Sequence, residues 1–427
     1  MVLTRICEGG GLRMGTVLDF RNALLAGSGL AALVIGGVAQ AQPSAATLNF
    51  ERKPPPGYER RALHAGSWTI MPEIQLSATA DSNIFATSAN EEEDVIFIAE
   101  PKVMFERKSD ELQINADVHG AIRQYAENTG ENINLYGGGA ALKYKVDMAQ
   151  TLSAGARFER TFQRRDDPER NDDLNLPLTP IANISADAGY SYRPGRLGVE
   201  ARGGFAKTDF DEPIDDERDM TAYRGSVRGL AGLSSRIDAF VEGYAAWRDF
   251  RLPVDNSGVD RDGETYGVNA GVALDFTDKL TGEIGAGVFR ARFDDPALDE
   301  FTGIGASGAL TWQPRARTAL VLNVFRGDVA TNRVGASGRV DSRASLRVFQ
   351  EIRHNLRGRI EAGYRHGEFR GASDRTQDDF KAGAAVEYMI SRSLAAEVGY
   401  TFSNRDATSA LVEFTAHQLG FALIARY

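Results

Sequence analysis

From Trp68 to the C-terminus one pattern recurs: apolar and polar residues alternate in units of about 10 to 15 residues, the length of tilted membrane strands rather than of the five or six residues usual in soluble sheets. Between residues 356 and 366, Leu356, Gly358, Ile360, Ala362 and Tyr364 fall on one side, and Arg357, Arg359, Glu361 and Arg365 on the other. Successive side chains of a strand point to opposite faces, so each such unit predicts a strand with one face suited to hydrocarbon and one suited to water. The same apolar face returns in Ile237, Ala239, Val241, Gly243, Ala245 and Trp247, in the even positions from Tyr266 to Phe276, in those from Phe380 to Ile390, and in those from Leu394 to Phe402.

The connectors come in two alternating kinds. Short ones lie at 108–110, 147–150, 193–196, 234–236, 277–279, 314–317, 354–355 and 391–393; longer polar ones lie near 86–93, 126–131, 164–180, 210–219, 251–263, 294–302, 328–339, 370–378 and 405–411. Eight turns interleaved with nine loops predict an all-β, antiparallel, up-and-down transmembrane barrel of about eighteen strands. The weak patterning of 222–233 and 303–312 leaves sixteen open. Two aromatic girdles are expected, with Tyr144, Tyr190, Tyr192, Phe276, Trp312 and Tyr388 beside turns and Tyr125, Phe162, Trp247, Tyr266, Phe301 and Phe402 near loops.

The N-terminus carries an address. Arg5, Arg13 and Arg21 precede the apolar stretch Ala23 to Val38 and the small-x-small site Ala39-Gln40-Ala41, so residues 1–41 are expected to be a secretory signal peptide, with Met1 or Met14 as start. Its removal takes the net charge from -10 to -11, because three arginines leave with Glu8 and Asp19. An acidic chain is a poor partner for nucleic acid, and Cys7, the only cysteine, lies in the removed segment. Residues 42–66, with Pro54-Pro55-Pro56, are expected to be a disordered periplasmic segment before a barrel spanning 67–427, contacting an export complex or entering the barrel mouth. The cell outer membrane of a Gram-negative bacterium is the expected location, with membrane lipid and lipopolysaccharide as neighbours.

No chemistry-bearing motif emerges. The five histidines at 64, 119, 354, 366 and 417 lack paired metal-ligand spacing, so neither metal nor cofactor is expected. His64 and Ser67 are near neighbours without an assignable acid, and no enzyme activity is expected. The lumen-facing residues are more informative. The register places Arg343 and Arg347 with Arg357, Arg359 and Arg365 on one wall and Arg224 and Arg228 on another, with Glu351 and Glu361 among them. Two consequences are open: a ladder of structural ion pairs, or a mixed-charge pore wall whose guanidinium groups guide anionic or sugar-like solutes. The loop acids Asp166-Asp167-Pro168-Glu169, Asp211 to Glu217, Asp260 to Glu264 and Asp294-Asp295 are expected to be solvated tips or cation bridges to lipopolysaccharide phosphates. Asn269, on the lumenal face, is expected to tolerate arginine, unlike Leu274 or Val398.

The chain resembles the putative beta-barrel porin 2 family. The likeness is carried by Gly66-Ser67-Trp68 with Pro72-Glu73-Ile74 and Asp81-Ser82-Asn83-Ile84-Phe85, by Leu280 to Gly287, by Leu310-Thr311-Trp312-Gln313-Pro314, and by Gln418 to Tyr427. The ending alternates Leu419, Phe421, Leu423, Ala425 and Tyr427, and resembles the signal recognised by barrel-assembly machinery. The resemblance implies a porin-like channel linked to exopolysaccharide and its export complex; the alternative is a non-conducting barrel that anchors a surface polymer.

Overall fold

In the computed structural model, residues 57–170, 178–277, 279–371 and 375–427 are described, with the backbone alone at 275–277. The expected signal peptide and residues 42–56 lie outside them. The strands are β1 (Leu63–Ala65), β2 (Trp68–Asp81), β3 (Asp94–Lys108), β4 (Leu112–Tyr125), β5 (Ile133–Lys145), β6 (Gln150–Phe162), β7 (Pro180–Tyr192), β8 (Leu197–Phe210), β9 (Met220–Gly232) and β10 (Ile237–Phe250). They continue with β11 (Gly263–Thr277), β12 (Leu280–Phe293), β13 (Phe301–Arg315), β14 (Thr318–Val329), β15 (Ala336–Arg353), β16 (Leu356–Gly371), β17 (Thr376–Met389), β18 (Leu394–Ala407) and β19 (Phe414–Arg426).

Each strand from β2 to β19 pairs antiparallel with its chain neighbour, and β19 pairs with β2 through Leu423↔Leu76 and Phe421↔Ala78, which closes an eighteen-stranded barrel. All eight predicted turns and nine loops fall between the strands expected to flank them. Closure leaves the barrel sheet without free edges. The alternation decides the facing of each residue: Val241 is 57% exposed on the outer wall, while its neighbour Glu242 is 2% exposed inside. Outward apolar residues such as Val118, Val268, Ile304, Ile360 and Val398 form the lipid-facing belt.

The turn-end girdle stands outward in Tyr144, Tyr190, Tyr192, Trp312 and Tyr388. The loop-end girdle needs correction, because Tyr125 and Phe162 are buried. Tyr125 shares the inward parity of Arg123 and packs on Ile84 and Ile96, whereas Phe301 meets Phe289 edge-on with ring centres 6.2 Å apart.

The tail also departs from expectation within its described part. β1 pairs with β2, and Tyr58 packs on the inward-facing Met389, Ala395 and Ile424, its ring 5.9 Å from that of His354. Arg392 donates to the Gly57 carbonyl at 3.1 Å and Arg60 reaches Glu73 at 3.2 Å, so residues 57–65 are strapped to the turn end of the barrel.

Candidate functional site

The lumen is filled unequally. On one side the rings of Phe240 and Tyr244 on β10 and Phe289 on β12 reach into the barrel, and Tyr244, Phe289 and Val340 pack together with Phe301. Glycines opposite make room: a Cβ on Gly271 would lie 2.6 Å from the Phe240 ring and 2.2 Å from the Ile284 carbonyl oxygen. Midway along β17 to β19 several inner positions are small, Gly383, Ala385, Gly399, Gly420 and Ala422 among them, and a cavity of about 280 Å³ opens there. Its far wall comes from β3, β4 and β6, with Glu100, His119, Arg123 and Glu159.

Two elements leave the wall and enter the barrel. The loop after β6 turns inward at Arg164, and the distal part of the β14–β15 hairpin bends away from β13, whose pairing with β14 covers only Ala306↔Arg326 to Arg315↔Thr318. At the bend Asp328 accepts from Arg248 at 2.5 Å and from Thr265 at 2.8 Å, both on strands beyond β13. Arg261, from the loop after β10, fixes the hairpin tip by donating to the carbonyls of Thr331, Ala336 and Arg333 at 3.1 to 3.3 Å, while Asp255 holds its Nε at 2.5 Å.

The two inserts meet. Glu169 accepts from Arg339 and from the Thr331 hydroxyl, and Arg333 donates to the Arg170 carbonyl at 2.7 Å. From there a chain of charges runs along the wall. Arg339 bonds Asp341 at 2.9 Å, Asp341 also takes Arg343 at 2.6 Å and Arg365 at 3.7 Å, and Arg365 pairs with Asp379. Asp379 holds Arg405 at 2.6 Å, and Arg405 returns to the loop by donating to the Asp166 carbonyl at 2.6 Å. The loop is therefore clamped at Asp166 and at Glu169. Burial alone would raise the Asp166 pKa, but the Arg164 guanidinium at 2.6 Å holds this carboxyl well below the usual range.

This arrangement corrects the expected solvated tip: Asp167 is buried, and Asp166 and Glu169 serve the clamp. Other loop acids are also occupied, Asp215 by Arg218 at 3.0 Å and Asp211 by Arg160. Asn269 does face inward, yet it is buried within 2.4 Å of where a Gly287 Cβ would stand, so the tolerance expected for arginine there is corrected.

Of the predicted lumenal residues, Arg343 and Arg365 are register partners that converge on Asp341. Arg347 faces Glu361, and Arg357 faces Glu351, which Arg317 approaches to 3.7 Å. Arg359 reaches Glu397 at 3.5 Å and borders the cavity with Glu361. Arg228 is enclosed elsewhere by Glu242 at 2.8 Å and Glu283 at 3.0 Å, over the Phe240 ring, and Arg224 stacks on Tyr244 at 5.0 Å. Sequence reasoning missed Arg339, Asp341, Asp379, Lys381 and Arg405, although all share the inward parity of residues already placed inside. It also missed the cluster in which His119 lies 2.8 Å from Asp117 and 2.9 Å from Glu159. Among the described residues no group of three or more His, Cys, Asp or Glu side chains is arranged to hold a metal ion.

Solved structures similar to this chain include the siderophore receptor PirA from Pseudomonas aeruginosa, with 8% identity, 86% of this chain and 81% of that one covered, and a TM-score of 0.42. The outer membrane protein OpdK from the same organism has 11% identity, coverage of 84% and 99%, and a TM-score of 0.43. OccAB4 from Acinetobacter baumannii has 10% identity, coverage of 87% and 100%, and a TM-score of 0.43. No curated protein sequence matches the chain. The family description that does match, "Putative beta-barrel porin 2", spans residues 55–427, the whole closed barrel with its strap, and the chain belongs to that family of porin-like outer-membrane β-barrels.

Proposed function

We propose that the barrel is a narrow solute channel in the outer membrane of a Gram-negative cell, with its loops outside and its turns in the periplasm. The observation that carries this reading is the unequally filled lumen: one half packed with aromatic side chains, the other a polar cavity left by glycine and alanine. An arginine-rich wall beside such a cavity suits carboxylate or sugar-like solutes, because guanidinium groups offer paired donors to oxygen acceptors. Passage of an extended polysaccharide, which the family resemblance implies, requires the clamped loop and hairpin to leave the lumen, so a small solute is the better cargo for this arrangement. Lipopolysaccharide remains the expected neighbour of the outer wall, and the outward Tyr427 the expected contact for assembly machinery.

Planar-bilayer recording across a salt gradient tests the reading. Small, stable conductance steps are expected, and replacing Arg347 and Arg359 together by Gln should shift the reversal potential toward cations, less so at high salt where screening acts over about 10 Å at 0.1 M. A correctly inserted but silent barrel would instead support an anchoring role.

A further inference from the structure

The cavity ends on its turn side at one layer of inner residues. Its lowest lining positions there are Ala385 on β17, Glu397 on β18, Ala422 on β19 and Gln75 on β2. The next inward residues, two along each strand and so about 7 Å nearer the turns, are Glu387, Ala395, Ile424 and Glu73. The strap of residues 57–65 lies across this layer. Tyr58 packs on the cluster of Ala395, Ile424 and Met389, all three buried, and Arg60 reaches Glu73 at 3.2 Å. Arg426 then bridges Glu73 at 3.0 Å and Glu387 at 2.9 Å, so the fourth floor residue is tied to the strap as well.

Two features make this more than a fixed plug. Inner positions of a wetted mouth should be polar, yet Met389, Ala395 and Ile424 form an apolar patch there, a surface that suits a ring laid on it and is costly to leave in water. The hold on the strap is also local. Residues 57–62 lie outside any strand, β1 adds only the pairs from Leu63↔Ile70 to Ala65↔Trp68, and Arg392 holds the Gly57 carbonyl. The barrel closes without them, through β19 and β2 from Arg426↔Glu73 to Gln418↔Asp81. A segment held by one ring and a few polar contacts can open without unfolding the wall.

Resting on the channel reading above, we infer that the strap is a gate at the turn-end exit of the cavity. Docked, Tyr58 and Arg60 floor the cavity; released, they open it toward the turns while Leu63–Ala65 stays on β2.

Single-channel recording of the full chain separates a gate from a strap that only stabilises the seam between β19 and β2. Wild type should open in bursts, and Tyr58→Ala should stay open severalfold longer at the same step size. Arg60→Gln, which leaves the apolar floor untouched, should do the same, whereas Tyr58→Phe keeps the ring and should behave as wild type. Thiol reactivity gives a second reading: in a Cys7→Ser background, Ile424→Cys should resist a water-soluble maleimide and react severalfold faster once Tyr58→Ala is added. Equal open times in wild type and both strap variants, with the thiol at position 424 newly reactive, overturn the gate and leave the channel intact. Equal thiol reactivity with and without Tyr58→Ala overturns the gate as well, and the absence of steps in every chain removes the channel reading and the gate with it.

Discussion

Arg339 shows how much of the lumen depends on single side chains. It is 3% exposed and holds Glu169 and Asp341, so its replacement leaves the buried Asp341 and the partly buried Glu169 without that guanidinium. Breaking a buried pair by removing one partner costs about 3 to 5 kcal/mol. Arg339→Gln is therefore expected to lower the urea midpoint of the barrel and to increase its conductance, both measurable on one detergent-purified sample. The outer wall follows a different rule. Val398, 52% exposed to lipid, should cost about 2 to 4 kcal/mol when changed to arginine, read as lost heat-resistant mobility on gels. Gly271→Ala forces a methyl group against the Ile284 carbonyl and should destabilise by about 1 to 3 kcal/mol, seen as a lower thermal midpoint with outer-wall labelling unchanged. The facing of all three residues follows from the period of two. The space around them does not: alternation places Asn269 and Gly271 inside but carries no trace of the Phe240 and Tyr244 rings that cross from β10 to lie over their strand.

At the scale of elements, strands and turns were legible because a membrane barrel repeats one local rule, and each connector breaks it with polar or turn-forming residues. The inserted loop was not legible, since Asp166-Asp167-Pro168-Glu169 has the composition of a solvated tip and its partners Arg339 and Arg405 lie far along the chain. The hairpin tip hid for another reason. Residues 336–341 are buried on both faces, so the strand continues while the wall it belongs to does not. The loop's docking has a defined pH dependence. With the Asp166 pKa held below its unfolded value, its contribution is complete above the ordinary carboxylate range near pH 4 and disappears as the pH falls through the depressed value. The contribution of Asp166 to the loop's docking, read as protection of the loop from protease, should therefore stay constant from pH 8 to about pH 4 and be lost only in stronger acid. A change near pH 6 would assign the transition to another group.

At the scale of the molecule, the asymmetry between short turns and long loops sets the orientation, and thiol labelling of intact cells reads it. Asp167 and Asp215 are buried and unsuitable as probes, whereas Asn256 and Leu411 are exposed at the loop end and Ser235 lies in a turn. Cysteine at 256 or 411 should react with an impermeant reagent and cysteine at 235 should not. What joins the scales is a barrel whose bore is set by its own inserts: family membership, strand count and closure describe a porin-like shell, and the ring from Glu169 through Asp341 and Asp379 to Arg405 narrows it. Single-channel conductance of wild type and Arg339→Gln, recorded in the same bilayers, tests that claim most directly: small uniform steps that enlarge in the variant are expected, and large steps identical in both proteins, or none in either, would contradict it.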